Sequence, residues 1–387
     1  MHYLDHNATS PVRPEALAAM ERALAIGGNP SSVHAAGRAA RAVVEEARER
    51  VAAFAGAKAG EVVFTGGGTE ANALALRGAI AGALEGEDRI TRLMVVATAH
   101  SSARNVAAAL ADSVPGLRVS EIPVDSNGHI DAAAFRLSLM NGKGRALISL
   151  VAANNETGAI EDVAALNAVL RAECPEALLH VDAVSAGYLH VRFADWGADY
   201  LSLSAHKIGG PQGAGALLAR DGTPLAALLP GSHERGRRGG TENVSGIAGF
   251  GAAARVLQMN RDASADHARN LRDTFEAGLR RIAPDIIVFG ENVARAPNTS
   301  CFALPDTLAE TALMALDLDG VAVSSGSACS SGRVSPSHVL IAMGVPEPLA
   351  RCALRVSFGW SSTKADVDAA LASLEKLLER RLRLAVA

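Results

Sequence analysis

From about residue 38 to residue 250 the chain alternates between two hydrophobic patterns. Short, almost continuous apolar runs recur at 61–64, 93–98, 146–151, 178–181, 200–203 and 215–218. Runs of this length, apolar at successive positions, suit strands buried on both faces. Between them the apolar positions follow helical spacing. In 38–56, Val44, Ala47, Val51 and Phe54 form one stripe, charged residues fill the other face, and Gly56 offers a stop. The alternation predicts a large α/β domain, its mostly parallel sheet flanked by helices. After residue 260 the pattern changes. A long helical stretch at 262–282 leads to strand-like runs at 286–289, 299–304, 321–323 and 354–358. A final helix is predicted to start at Thr363, whose hydroxyl caps the first turn while Asp366 supports it electrostatically. Its stripe is Val367, Leu371, Leu374 and Leu378. These elements predict a smaller α+β domain. The expected division is 15–258 for the large domain, with 1–14 and 259–387 forming the small one. A mobile Ser/Gly-rich loop is expected at 324–333.

Composition narrows the function classes. With 387 residues and 49% of them hydrophobic, burial is not limiting, and at 4% aromatics the core is filled by Ala, Val and Leu. A formal net charge of −4 argues against a nucleic-acid or membrane-surface binder. The opening MHYLDHNATS has no basic flank followed by an apolar run, and no stretch reaches membrane-spanning length. Four scattered cysteines, Cys174, Cys301, Cys329 and Cys352, contain no CxxC pair. Neither a disulfide framework nor a resident metal site is expected, and a cytoplasmic location suits free thiols. The basic run Arg235, Arg237 and Arg238 reads equally as a solvated loop or a local anion site.

Six places carry residues suited to chemistry. TGGGTEAN (65–72) lies between a strand and a helix, where Gly68, Thr69 and the helix amides can cradle a phosphate, although such a turn is often only a turn. Asp182 ends a strand, where open α/β sheets bind ligands, and also suits a helix cap. Lys207, after a strand in SAHKIGGPQGAGAL (204–217), is a candidate Schiff-base amine if burial and charge favour its neutral form; the bland alternative is a solvated lysine. His100 follows another strand, as a ligand contact or a structural histidine. In AANNETG (152–158), Asn155 offers an amide to a ligand oxygen, or simply a turn. Cys329, in SSGSACSSG (324–332), suits a thiol that travels, whereas Cys301 sits in a strand-like run and reads as packing.

These sites, in this order, resemble the class V, fold-type I enzymes that use pyridoxal 5′-phosphate (PLP), and most closely cysteine desulfurases of the NifS/IscS type. YLDHNATSPV (3–12), GNPSSVHAAGRAAR (28–41), HVDAV (180–184), HERGRRGGTEN (233–243) and LRVSFG (354–359) extend the resemblance over essentially the whole chain. It implies a mostly parallel seven-stranded sheet in the large domain, and that Lys207 holds PLP as a Schiff base and moves the Cα proton. Asp182 pairs with the pyridinium nitrogen, and His100 stacks on the ring and assists proton transfer. Gly68, Thr69, Ser204 and His206 hold the phosphate, joined by Thr241, with Arg238 beside it, from the neighbouring subunit of a homodimer with shared sites. Asn155 bonds near the phenolic oxygen, and Arg355 grips the carboxylate of L-cysteine. Cys329 takes the sulfur as a persulfide, leaving L-alanine, and passes it to an acceptor such as an iron–sulfur scaffold; the thiol is also a transient cluster ligand. Nitrogenase maturation and tRNA thiolation through carrier proteins are both open settings. Three positions depart from the family pattern. Ser185 stands for the usual Gln, Ala99 for the acidic residue before the histidine, and Pro230, Gly231 and Ser232 for GGG. Within the family a selenocysteine lyase or an aminotransferase is the alternative. Outside it, a non-catalytic sulfur-transfer scaffold is disfavoured because Lys207 and Asp182 are both present.

Overall fold

The chain opens on a two-residue strand, β1 (His2–Tyr3), that pairs with a partner more than 300 residues away. The structure, a computed structural model, describes residues 1–83, 89–325 and 335–386. Seven further strands follow: β2 (Val62–Thr65), β3 (Ile90–Val96), β4 (Arg118–Ile122), β5 (Arg145–Val151), β6 (Leu178–Asp182), β7 (Tyr200–Ser204) and β8 (Gly215–Ala219). They form one sheet in the order β2-β8-β7-β6-β5-β3-β4. The pairs from β7 through β4 are parallel, and β8 runs against both its neighbours. All strands but β8 therefore end at the same edge.

The burial follows the sequence pattern. Strands β6, β7 and β8 are buried at every residue, as strands covered on both faces must be. The edge strand β4 buries only Ile122 fully. Its residues, RVSEI, lack the apolar run that marks the other six, which is why the sequence pattern does not reveal it. Helices Pro14–Ile26 and Ala35–Ala55 pack against Val244–Met259, while Gly68–Gly82 lies against β7 and β8. The stripe expected in 38–56 forms: Val44, Ala47, Val51 and Phe54 are all buried.

A second sheet, β12-β13-β10-β9, is antiparallel and comprises β9 (Ile287–Val288), β10 (Thr299–Ala303), β12 (Ser324–Ser325) and β13 (Ala353–Ser357). Beside it β1 pairs in parallel with β11 (Val321–Ala322). Leu4, Phe275, Phe302 and Phe358 share its core. The ring of Phe275 sits 5.6 Å from that of Phe302 and 6.1 Å from that of Phe358, and each buried ring contributes about 1.5–3 kcal/mol. The last helix does begin after Thr363, but its cap differs from expectation. The Asp366 carboxylate accepts from both the Thr363 N–H (2.7 Å) and its hydroxyl (2.8 Å), so the acidic residue caps backwards.

Between the two sheets runs the segment from Asp5 to Ser10. Asn7 donates to Thr299 Oγ1 (2.9 Å) and to the Asn155 carbonyl (3.0 Å), and its N–H donates to Ser357 Oγ (2.9 Å). The N-terminus is thereby stitched to both sheets.

Candidate active site

The common edge of the large sheet gathers the residues singled out from sequence. Strand β6 ends on Asp182, and β7 ends on Ser204, with Lys207 three residues beyond in a tight turn. His100 follows β3, and Asn155 follows β5. The turn after β2 leads into the helix starting at Gly68, and the close approach of β8 keeps this corner tight: a Cβ on Gly215 would lie 2.6 Å from Gly67 C.

Asp182 is buried. Its Oδ1 accepts from the Val184 N–H at 3.0 Å, and its Oδ2 accepts from Asn72 Nδ2 at 2.7 Å. Turns follow it and the next helix starts only at Phe193, so it closes a turn rather than capping a helix. His100 does cap the helix Ser101–Ser113, its Nδ1 accepting from the Ser102 N–H at 3.1 Å, and the residue stays exposed. Desolvation lowers its pKa; Asp182 opposes this and Lys207 adds to it.

Lys207 donates to the carbonyls of Asn7 and Ala8, the latter at 3.1 Å. Burial pushes its pKa down to about 8; Arg355 adds to the fall, and Asp5 and Asp182 oppose it. An amine with that pKa is substantially neutral near neutral-to-basic pH and can act as nucleophile and base. His206 approaches Thr9 Oγ1 at 3.2 Å, and burial followed by Lys207 pushes its pKa down to about 4. It is neutral at physiological pH.

Arg355, in β13, reaches the same cluster of groups from the small sheet. Its Nη2 pairs with Asp5 Oδ1 at 2.8 Å, and its Nη1 donates to the Asn155 carbonyl at 3.0 Å. Asn155 thus meets Arg355 through its backbone. Asn154 makes the turn: its Oδ1 accepts from the N–H groups of Glu156 (2.9 Å) and Thr157 (3.0 Å). Thr69 and Thr241 are both exposed. Of the loop expected at 324–333, Ser324 and Ser325 form β12, while 326–333, with Cys329, lie outside the described residues. Cys301 is fully buried in β10, where burial raises its thiol pKa, in keeping with a packing role.

Each arginine of the basic run has a partner within the chain, although Arg235 itself is exposed. Arg235 donates to the Gly60 carbonyl (2.7 Å), Arg237 pairs with Asp221 (3.8 Å), and Arg238 pairs with Glu70 (2.9 Å). The neighbouring Glu234 forms a buried two-pronged pair with Arg48, at 2.7 and 2.8 Å. Sequence reasoning assigned nothing to Asp5, Asn7, Asn72, Ser102 or Glu156. Asp5, Asn7, Asn72 and Glu156 fall inside the quoted motifs, and only their spatial partners reveal their work.

Residues 2–370 match the family described as Aminotransferase class-V. The chain belongs to that family. Among its relatives, the cysteine desulfurase IscS of Dictyoglomus turgidum is 39% identical over 386 residues, covering 98% of this chain and 94% of the relative. The X-ray structure of a NifS-like protein from Rickettsia africae superposes with a TM-score of 0.87 at 30% identity, covering 98% of this chain and 99% of that one. SspA, solved in complex with cysteine, gives a TM-score of 0.79 at 27% identity over 94% of this chain and 100% of that one. A cysteine desulfurase of Cereibacter sphaeroides is likewise 41% identical, covering 98% of this chain and 96% of the relative. Among the described residues no helix is long and apolar enough to cross a membrane, and no cluster of His, Cys, Asp or Glu is arranged to hold a metal.

Proposed function

We propose that this chain is a PLP-dependent cysteine desulfurase that converts L-cysteine to L-alanine and leaves the sulfur as a persulfide on Cys329. The observation that carries the reading is the convergence of Lys207, Asp182, His100 and Arg355 on one another at the sheet edge in a chain of the class-V family.

The polar groups left open there fit PLP. Ser204 Oγ and Arg355 Nε are buried without a hydrogen-bond partner among the described residues. A Cβ at Gly68 would lie 2.7 Å from Val184 Cγ2 and 3.5 Å from Ser204 Cβ, so glycine keeps the corner beside Ser204 open. A phosphate there would satisfy the Ser204 hydroxyl and meet the N-terminus of a 15-residue helix. Gly68, Thr69, Ser204 and His206 would hold the phosphate, Asp182 the ring nitrogen, and Lys207 the aldehyde carbon; Asn155 would stand near the phenolic oxygen. Bound there, PLP supplies an electron sink.

The chain's own residues supply the rest. Arg355 presents a fixed guanidinium to the carboxylate of L-cysteine, Nε being its unpaired donor. Lys207, with its lowered pKa, accepts the Cα proton and later returns one. The Cys329 thiolate forms the new S–S bond as the substrate's carbon–sulfur bond breaks, so that one cysteine and one thiol give one alanine and one persulfide. In a homodimer, Thr241 of one subunit would reach the phosphate held by the other, and an iron–sulfur scaffold is the fitting class of sulfur acceptor.

The test is turnover of L-cysteine with reductant. Equal alanine and sulfide are expected from the wild type, with sulfide release lost in Cys329→Ala. Unchanged release from that variant sinks the persulfide route. Borohydride reduction should fix the cofactor on Lys207; a label on another lysine overturns the site.

A further inference from the structure

A continuous hydrogen-bonded chain joins Asp182 to His100. Asp182 Oδ2 accepts from Asn72 Nδ2 at 2.7 Å, and the same Nδ2 lies 2.9 Å from Ser102 Oγ. Ser102 Oγ in turn lies 2.8 Å from His100 Nδ1, the nitrogen that also accepts the Ser102 backbone N–H at 3.1 Å. Asn72, Ser102 and Asp182 are buried, and only the histidine is exposed.

The direction of each proton follows from the inventory of donors and acceptors. A carboxylate oxygen accepts, so the Asn72 atom facing Asp182 is its amide nitrogen, which has a second proton for Ser102 Oγ. Having accepted that proton, the Ser102 hydroxyl turns its own hydrogen toward His100 Nδ1. The backbone N–H at the helix cap approaches the same nitrogen, so a proton on Nδ1 would face two donors. The neutral ring is left with its proton on Nε2, at the opposite edge.

We propose that Ser102 and Asn72 are positioning residues that hold His100 in its Nε2–H tautomer, orienting the ring and the Asp182 carboxylate as one unit. Neutral His100 then faces the site as a hydrogen-bond donor. It cannot take a proton at Nε2 until it has given one away, which assigns it the giving side of proton transfer. The charged and titratable groups acting on it are Asp182 and Lys207 from the neighbouring strand ends, with His338 close enough to interact. His100's part in turnover rests on the desulfurase reading; its tautomer does not.

The experiment is long-range proton–nitrogen NMR on the full chain labelled with ¹⁵N-histidine, using His100→Asn to assign the signal. The wild-type ring is expected to be protonated at Nε2 when neutral. Ser102→Ala, which removes the hydroxyl but keeps the helix, should raise the pKa of His100 by about 0.7 unit and mix the tautomers. Ser102→Thr should restore both. A neutral wild-type ring protonated at Nδ1 overturns the proposal without any variant. So does a Ser102→Ala ring whose tautomer and pKa are both unmoved. Because the readout needs no substrate, a failure here is distinct from a failure to desulfurate cysteine.

Discussion

Replacing Glu234 by Ala should destabilise the protein far more than an ordinary loop substitution. The Glu234 carboxylate meets Arg48 through both oxygens, with side-chain exposures of 2% and 5%, and also accepts the Phe64 N–H at 2.9 Å. Removing it leaves a buried guanidinium whose remaining carboxylate partner among the described residues is the half-exposed Glu45, at 3.2 Å. Breaking one side of such a pair costs about 3–5 kcal/mol. For 387 residues the unfolding entropy is about 0.8 kcal/mol per kelvin, so the melting midpoint should fall by about 5 °C. Calorimetry of the cofactor-free protein measures it. Arg48→Met combined with Glu234→Leu should recover part of the loss, since neither charge is then stranded. The unpaired Phe64 N–H would withhold about 1–3 kcal/mol of the recovery. A Glu234→Ala midpoint within a degree of the wild type, or a double variant no better than the single one, refutes the reasoning.

Gly68→Ala places a methyl group 2.7 Å from Val184 and should weaken PLP binding about tenfold or more, read by absorbance titration; unchanged affinity would remove Gly68 from the phosphate site. Asp5→Asn deletes a charge that raises the pKa of Lys207 and releases Arg355, which lowers it. The pH midpoint for borohydride capture of PLP on Lys207 should therefore move below about 8, and an upward move would contradict the charge arrangement. Glu156 is buried and hydrogen-bonded to Ser337, and burial pushes its pKa up to about 7 from 4.5. Between those values the folded protein holds the proton that the unfolded chain releases, so this group makes stability fall as pH rises. Glu156→Gln should flatten that part of the stability–pH curve, with Glu161 still contributing its own raised pKa; an unchanged slope in urea unfolding would count against it.

The large sheet was legible because a strand covered on both faces is buried at nearly every position, as β5 to β8 are, and so mostly apolar. Strand β4, half solvated, carries no such mark. The strand-end positions of Asp182 and His100 could be read locally; His100 caps the helix that follows it, whereas Asp182 closes a turn. Partnerships across the chain could not be read. Arg355 meets Asp5 across a separation of 350 residues, and Asn72 meets Asp182 across 110; nothing in either local pattern encodes the other. The Arg235–Arg238 run was undecidable for the same reason, since its acceptors lie on distant segments.

The stitching of the Asp5–Ser10 segment also bears on biosynthesis. Its residues leave the ribosome 350 positions ahead of Ser357, which holds Asn7, and of Arg355, which pairs with Asp5. A nascent chain can build the large sheet before that, but the contacts that fix this segment over Lys207 must wait for β13 to emerge. A ligand taken up at the sheet edge during translation would meet Lys207 before Arg355 is in place.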